Sequence, residues 1–394
     1  MNSRNYNRRK FIQFLTGGSL GWMVANPVFS FANSSKKRDC SDRSDLLFYI
    51  DLKGRKKPVT TLAEWQLKRR QILVGLQQAM GLMPDQSNLP DLDIQIIEQL
   101  KEHDYTRFTI HFTVAENERI SAYLYVPMQT NNGEKFPAML ALHPTGILGK
   151  AIVDGGSELS NRAYAKELAQ RGYVVIAPDY PGYGDLKNYE FKRDRYQSGT
   201  MKSIFDDMRC IDLLRARVDV DSDRIGVIGH SLGGHSAMFV GAFDTRLKVI
   251  VSSCGWTLMD YYNTGQEGTK NNTNRLAPWA QEVYMPRLRD VYNLDARKIP
   301  FDFDEVIAAL APRAFFSNSP EYDSNFDVNG VRKGIEEVSK VYNFLKAESN
   351  LVVRYPYSTH DFPAQVRFEA YKFIDKILGV SSNSNKNESA SSIP

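Results

Sequence analysis

A serine between two glycines is the residue of this chain best placed to act as a nucleophile. Ser231 lies in the segment 229–233, Gly-His-Ser-Leu-Gly, which has the pattern Gly-x-Ser-x-Gly. The apolar run at 225–228 predicts a buried strand before it, and residues 232–243 predict a helix after it. A serine on such a sharp strand-to-helix turn is held with its hydroxyl exposed above the sheet edge. The alternative, a glycine-rich turn with an incidental serine, is disfavoured by the flanking strand and helix.

A serine hydroxyl at neutral pH needs a histidine as base, and a carboxylate must hold that histidine. Of the six histidines, His360 alone follows the last predicted strand, where a site of this kind places its base. An ordinary surface histidine is the alternative interpretation. The acid should follow the preceding strand, and Asp323 lies a short loop beyond that strand. Asp327 is its nearest competitor and Glu321 the next, and the spacing leaves the choice among them open.

Backbone amides close to the serine would stabilise an oxyanion, the charge that develops when a carbonyl is attacked. Leu232, at the start of the predicted helix, supplies one such amide. The second should come from the loop after the first parallel strand. Pro144 has no N–H, so Thr145, or else Gly146, is the candidate. His143 in the same loop either lines the pocket or holds the loop in place.

Residues 256–303 interrupt the regular pattern of elements with many aromatic residues. Such an insertion forms a lid or one wall of a substrate pocket, or it packs as an ordinary excursion of the chain. Together with His143, we expect His230, Trp256 and Tyr284 to contact the substrate. Aromatic faces stack on sugar-like rings, which favours a carbohydrate partner, although core packing explains the same residues nearly as well.

From residue 136 onward, strands and helices alternate along the chain. Strands are predicted at 138–142, 173–177, 225–228, 247–253, 313–317 and 351–355, with helices at 159–171, 203–217, 232–243, 328–346 and 365–378. This alternation predicts an α/β fold over 136–380, with a mostly parallel central sheet and helices on both faces. We expect residues 33–135 to form an N-terminal extension whose antiparallel strands join the sheet. Its predicted elements are a helix at 62–80 and strands at 93–100, 105–114 and 120–126.

The net charge of +4 comes from the front of the 394-residue chain. Residues 1–32 contain four basic residues and no acidic one, and the remainder has 46 of each kind. This balance gives no electrostatic reason to expect a nucleic acid partner. Three cysteines, Cys40, Cys210 and Cys254, are too few for a disulfide scaffold, and whether the last two pair stays open. No Cys/His cluster has metal-ligand spacing, so we expect neither a metal ion nor another cofactor.

The chain begins with features of an export signal. Arg8 and Arg9 precede a modest apolar stretch that three glycines interrupt, and the small residues Ser30 and Ala32 follow at the two positions that a signal peptidase reads. This combination predicts a twin-arginine signal peptide over residues 1–32, and hence a periplasmic or secreted protein. The uninterrupted apolar part is shorter than the ~20 residues needed to span a bilayer, which disfavours a permanent anchor. The Ser/Asn-rich segment 381–394 predicts a disordered tail.

Residues 93–380 resemble an α/β-hydrolase, and they are most similar to exported bacterial esterases of the acetyl xylan esterase and dienelactone hydrolase-like groups. The segments that carry the resemblance are the helix with Trp65 and Arg69-Arg70, the early hairpin, residues 143–146, residues 179–184 and the Gly-x-Ser-x-Gly turn. The resemblance implies Ser231 as nucleophile and His360 as base. Two departures stand out. Dienelactone hydrolases carry a cysteine nucleophile, and acetyl xylan esterases favour Gln or Tyr at the position of Leu232.

We therefore expect an exported serine hydrolase that cleaves carboxylic esters, including acylated carbohydrates, through an acyl-enzyme intermediate. One alternative is a peptidase resembling prolyl oligopeptidases, although about a hundred residues ahead of the sheet are too few for their propeller domain. The other is a non-catalytic exported binding protein on the same fold. The acyl group, the alcohol and the oligomeric state do not follow from the sequence.

Overall fold

The computed structural model describes residues 45–128, 135–191, 195–262 and 275–380. The predicted signal peptide at 1–32, the predicted tail at 381–394 and part of the aromatic insertion lie outside these residues. Among the helices of the described ranges, none is both long and apolar enough to cross a membrane.

The centre of the described structure is a nine-stranded mixed sheet, preceded by a two-stranded ribbon. The strands are β1 (Phe48–Ile50), β2 (Lys56–Pro58), β3 (Gln95–Lys101), β4 (Tyr105–Ala115), β5 (Glu118–Pro127), β6 (Phe136–Leu142), β7 (Val174–Pro178), β8 (Val220–His230), β9 (Val249–Ser253), β10 (Ala314–Asn318) and β11 (Leu351–Arg354). The large sheet has the order β11-β10-β9-β8-β6-β7-β5-β4-β3. Neighbours from β11 to β7 are parallel, whereas β5, β4 and β3 are added antiparallel. This arrangement confirms the predicted α/β fold class.

Helices cover both faces of the sheet. They are α1 (Leu62–Met80), α2 (Tyr164–Gln170), α3 (Gly199–Ala216), α4 (Leu232–Phe243), α5 (Arg287–Asp290), α6 (Phe303–Ala308), α7 (Val328–Phe344) and α8 (Ala364–Leu378). One hydrophobic cluster contains side chains of α1, α3, α4, α6 and α7, and the cluster on the opposite face contains those of α2 and α8. Strand β6 alternates between the two, since Leu140 belongs to the first and Met139 to the second, as the two-residue period of a strand requires.

Two helices start four or more residues away from their predicted first residues. Helix α2 is shorter than the predicted 159–171, because residues Ser160–Arg162 form a separate 3-10 turn. Helix α3 begins at Gly199, four residues ahead of the predicted start, because the Ser198 side chain accepts the Met201 N–H at 3.0 Å and caps the helix.

The N-terminal helix α1 is attached to the helix that follows the serine. Trp65, Ile72 and Leu76 of α1 are fully buried. The Arg69 guanidinium donates to the Ala242 carbonyl at the end of α4 (2.6 Å) and to the Ala309 carbonyl just after α6 (2.8 Å). These bonds satisfy carbonyl groups that helix ends leave without a partner, so α1 helps to fix the position of α4.

Candidate active site

Ser231 occupies the turn between β8 and α4 with φ 55° and ψ −119°. A non-glycine residue in this region is strained by about 1–3 kcal/mol, and such residues cluster at functional sites. The turn is tight on both sides. A Cβ on Gly229 would overlap the carbonyl of Gly233, and a Cβ on Gly233 would overlap the carbonyl of Leu142 at the end of β6. The two glycines of the motif are therefore required by close backbone contacts.

The structure brings Ser231, His360 and Asp323 together. The Nε2 atom of His360 lies 2.9 Å from Ser231 Oγ, and its Nδ1 atom lies 2.9 Å from Asp323 Oδ2. Asp323 Oδ1 also accepts the backbone N–H groups of Asn325 (2.8 Å) and Phe326 (3.1 Å), which orient the carboxylate. With a proton on Nδ1, the imidazole donates to this carboxylate and leaves Nε2 free to accept the serine proton.

Neither competing carboxylate reaches the imidazole. Asp327 caps the N-terminus of α7, where its Oδ1 accepts the Asn329 N–H at 2.8 Å. Glu321 forms an ion pair with Arg332. Among the three acids that the sequence left open, the structure places Asp323 alone beside His360.

A buried network beneath the triad holds the loop that carries His360. Asn318, the last residue of β10, donates through Nδ2 to the carbonyl of Asp361 and to Ser253 Oγ, both at 2.8 Å. The Cys254 thiol donates to the same Asp361 carbonyl at 3.2 Å. Cys254 and Cys210 are both free thiols. The sequence analysis did not identify Asn318, since its only signal is a polar residue at the end of a strand.

The other side of that loop is held by an ion pair between Arg162 and Asp361, at 2.5 Å. Burial alone would raise the pKa of Asp361, but the hydrogen bonds and charge of Arg162 outweigh it and lower that pKa. Asp361 is therefore ionised at neutral pH and keeps the loop attached to the residues ahead of α2.

The prediction that His230 contacts the substrate is wrong. Its side chain is buried behind the triad, where Nδ1 forms a hydrogen bond with Ser253 Oγ at 2.9 Å. Its ring centroid is 5.1 Å from that of His360. Burial, followed by the charge of Arg162, lowers the pKa of His230 well below its usual value, so the ring is neutral and supports His360 by packing.

Trp256 also needs a correction as a substrate contact. It is 1% exposed, its indole N–H donates to Ser317 Oγ at 3.0 Å, and its ring packs against Gly334 of α7. A ring enclosed on all sides belongs to the core and cannot form an open pocket wall.

His143 is buried and holds its loop, which is one of the two roles left open by the sequence. Its Nε2 accepts the Tyr180 N–H at 2.9 Å, and its Nδ1 lies 2.7 Å from the Pro144 carbonyl. Burial lowers the pKa of His143, so the ring is neutral, with Nδ1 as the donor and Nε2 as the acceptor. The side chain therefore fixes the loop and is not available to a substrate.

Leu232 and Thr145 lie where oxyanion donors are expected. The Leu232 N–H is at the start of α4, where the first amides have no partner within the helix. Thr145 is exposed in the loop after β6. The carbonyl of Leu142, the last residue of β6, lies against Gly233 of the serine turn. The Thr145 hydroxyl lies 3.4 Å from the hydroxyl of Tyr284, which is 2.7 Å from that of Tyr183. Tyr284 therefore lies beside the proposed oxyanion loop, close to where a substrate would bind.

The described part of the aromatic insertion packs tightly and extends to the triad. Trp279 stacks on His235 of α4 with centroids 4.2 Å apart, and its ring lies 6.3 Å from that of Phe326. Phe326 in turn stacks on His360 at 5.9 Å. The insertion thus packs behind His360 through Phe326, which agrees with ordinary packing, one of the two roles considered for it.

Three possible metal ligands meet in this site. Donor atoms of Cys254, Asp323 and His360 lie within 4.8 Å of one another, and no other such group occurs among the described residues. The imidazole and the carboxylate bind each other, and the thiol donates to a backbone carbonyl. Each donor therefore already has a protein partner, and the hydrogen bonds account for the cluster without an ion.

The strand order, the strained serine and the loops after β10 and β11 give the chain the α/β-hydrolase fold. A family model described as glucuronyl esterase, fungi, matches residues 194–346. The chain is 28% identical over 313 residues to the putative hydrolase YtaP of Bacillus subtilis, covering 77% of this chain and 97% of that protein. It is 28% identical over 204 residues to the carbohydrate esterase MZ0003 of an unknown prokaryote, covering 47% of this chain and 46% of that protein.

Solved structures agree on the fold. The glucuronoyl esterase from Solibacter usitatus superposes with a TM-score of 0.64 and 19% identity, covering 85% of this chain and 97% of that one. A putative acetyl xylan esterase from Bacteroides fragilis has a TM-score of 0.54 and 17% identity, with coverage of 85% and 94%. These structures share the α/β-hydrolase fold with the chain, in agreement with the fold expected from the sequence.

Proposed function

We propose that this protein is an exported serine esterase that hydrolyses carbohydrate esters. The observation that carries the proposal is the unbroken chain of contacts from Ser231 Oγ through the His360 imidazole to the Asp323 carboxylate, with 2.9 Å at each step. A nucleophile, a base and an orienting acid in this order are what acyl transfer requires.

The reaction proceeds in two steps. His360 Nε2 takes the proton of Ser231 as its oxygen attacks the ester carbonyl, and the amides of Leu232 and Thr145 stabilise the oxyanion. The C–O bond to the alcohol breaks as His360 returns that proton to the leaving oxygen. His360 then activates a water molecule, which attacks the acyl-enzyme and releases the carboxylic acid and free Ser231.

The sugar can be on either side of the ester bond. The resemblance to acetyl xylan esterases supports a substrate in which a sugar is the alcohol and the acyl group is small. The match to the glucuronyl esterase family supports a second candidate, in which the sugar supplies the acyl group as an alkyl uronate ester. Both candidates use the same triad and place the ester carbonyl at the oxyanion loop. They differ in whether the sugar is the acyl part or the alcohol part of the ester.

The test compares wild type and Ser231→Ala on a short-chain p-nitrophenyl ester, acetylated sugars and alkyl uronate esters. Wild type should hydrolyse at least one class of carbohydrate ester. The variant should lose activity by at least about 10³-fold while keeping its circular dichroism spectrum and melting temperature. Equal turnover by the two proteins would refute the proposal.

Export through the twin-arginine route is supported by Arg8 and Arg9 at the front of the chain. Substituting both residues with lysine keeps the charge and should prevent the protein from reaching the periplasm. Immunoblots of cell fractions would show this, and unchanged export would contradict the proposed route.

A further inference from the structure

Two tyrosines on the surface beside the triad have no role in the proposed reaction. Tyr357 is 85% exposed and Tyr322 is 53% exposed. Their ring centroids are 4.6 Å apart and the rings are nearly perpendicular, at 78°. In the described part of the chain, the other strongly exposed aromatic side chain is Phe368 of α8. Paired exposed rings leave aromatic faces in water that a ligand could cover.

These tyrosines are held by the two loops that supply the catalytic acid and base. The Tyr322 N–H donates to the Ser358 carbonyl at 3.1 Å, and the Glu321 N–H donates to the Pro356 carbonyl at 3.0 Å. Tyr322 directly precedes Asp323, and Tyr357 comes three residues before His360. Since an extended chain covers about 3.5 Å per residue, the Cα atom of Tyr357 lies within about 11 Å of that of His360.

The direction of proton transfer determines which part of an ester would reach the two tyrosines. His360 gives its proton to the leaving alcohol, so the alcohol must lie on the side of His360. The oxyanion loop follows β6, on one side of the serine strand β8, whereas the loops with the tyrosines follow β10 and β11 on the other side. The tyrosine pair is therefore on the alcohol side of the site.

We propose that Tyr322 and Tyr357 form a subsite for a sugar ring in the alcohol part of the ester, beyond the residue that carries the acyl group. This inference depends on the proposed esterase function and specifies its substrate. A sugar ring has an apolar C–H face and a rim of hydroxyls. The exposed aromatic faces of the tyrosine pair can contact the C–H face, and the two phenol groups can bond to the hydroxyls. The pair is open to solvent, so a longer saccharide can extend beyond it.

The experiment compares two acetyl esters that differ only in the alcohol, methyl acetate and an acetylated xylan disaccharide. Both give the same acetyl-enzyme, so deacylation is identical and any difference arises in binding and acylation. Tyr322→Ala/Tyr357→Ala should lower kcat/KM for the disaccharide ester by about 3- to 10-fold, the range expected for lost aromatic contacts, and leave methyl acetate unchanged. Phe368→Ala is the matched control and should change neither value.

Two results would overturn the subsite. The first is an unchanged ratio of the two kcat/KM values in the double variant, whether neither ester or both esters lose activity equally. The second is the same loss in Phe368→Ala. A wild type that cleaves only uronate esters, with the sugar on the acyl side, would also overturn it while leaving the esterase function intact. A wild type that cleaves no ester at all would refute the proposed function itself, so the two failures are distinguishable.

Discussion

Replacing Asp323 by asparagine tests the triad through the tautomer of His360. The Asn325 and Phe326 amides both point at Oδ1 of the wild-type carboxylate. In the variant these amides select the carbonyl oxygen of the new side chain, and its NH₂ group then faces His360 Nδ1. Nδ1 lies 2.9 Å from the Oδ2 position, which now carries the NH₂ group, and 3.0 Å from the Oδ1 position. When the imidazole accepts from this NH₂ group, its proton is on Nε2, the atom 2.9 Å from Ser231 Oγ. A protonated Nε2 cannot take the serine proton.

The expected loss in kcat is therefore about 10³- to 10⁴-fold, or roughly 4–5.5 kcal/mol in the activation barrier. It would be measured with a short-chain p-nitrophenyl ester, and thermal melts would check that the fold is retained. Asp327→Ala is the matched control, because Asp327 caps α7 and does not contact His360. It should cost about 1 kcal/mol of unfolding free energy and leave kcat unchanged.

This reasoning fails if Asp323→Asn keeps a tenth or more of the wild-type kcat. It also fails if Asp327→Ala loses activity to the same degree, since the carboxylate would then matter only through the stability of its loop.

Three further predictions concern residues around the site. Burial, and then the charge of Asp206, raises the pKa of Asp207 well above its usual value, so the native state holds a proton that the unfolded state releases above about pH 4. The contribution of Asp207 to the free energy of unfolding therefore falls as the pH rises. Asp207→Asn removes this loss, so in urea titrations the variant should gain more stability over wild type at pH 8 than at pH 5. Equal gains at the two pH values would contradict a protonated Asp207 in the native state. Burial also raises the pKa of the Cys210 and Cys254 thiols, which keeps them protonated and unreactive. In a Cys40→Ser variant, iodoacetamide should therefore label neither thiol until urea unfolds the chain. Rapid labelling of either thiol in the native protein would refute this. Gly233→Ala places a methyl group against the Leu142 carbonyl and should abolish activity or soluble expression. Gly54 lies in an exposed turn with no atom near its position for a Cβ, so the control Gly54→Ala should keep activity. An active Gly233→Ala enzyme would show that the turn can widen.

The positions of the serine and the histidine could be predicted because both depend on chain order and local pattern. The boundaries of α1 and α4 agree with the apolar periodicity of 62–80 and 232–243, and a Gly-x-Ser-x-Gly turn between a strand and a helix has few other solutions. The acid could only be narrowed to a loop, because three carboxylates follow β10 within nine positions and the fold decides which one turns inward.

The residues proposed to contact substrate were the least predictable. His230 and Trp256 flank the ends of β8 and β9, and sequence alone does not tell whether a side chain at a strand end points outward or into the core. The structure buries both, since His230 bonds to Ser253 and Trp256 to Ser317. Asn318 was missed for the same reason. Its importance comes from Asp361, which is 43 positions away along the chain and becomes a neighbour only after folding.

The last strand of the sheet gives the site a particular weakness. Strand β11 has four residues, lies at the outer edge of the sheet, and leads directly into the turn with His360, which is 129 positions from Ser231. Edge strands open more readily than central ones. If β11 detaches from the sheet, His360 moves away from Ser231 and activity is lost while the rest of the molecule stays folded. Heat should therefore inactivate the enzyme at a lower temperature than the one at which its circular dichroism changes. A chain truncated anywhere before His360 would likewise be inert, because it would lack the base that Ser231 needs.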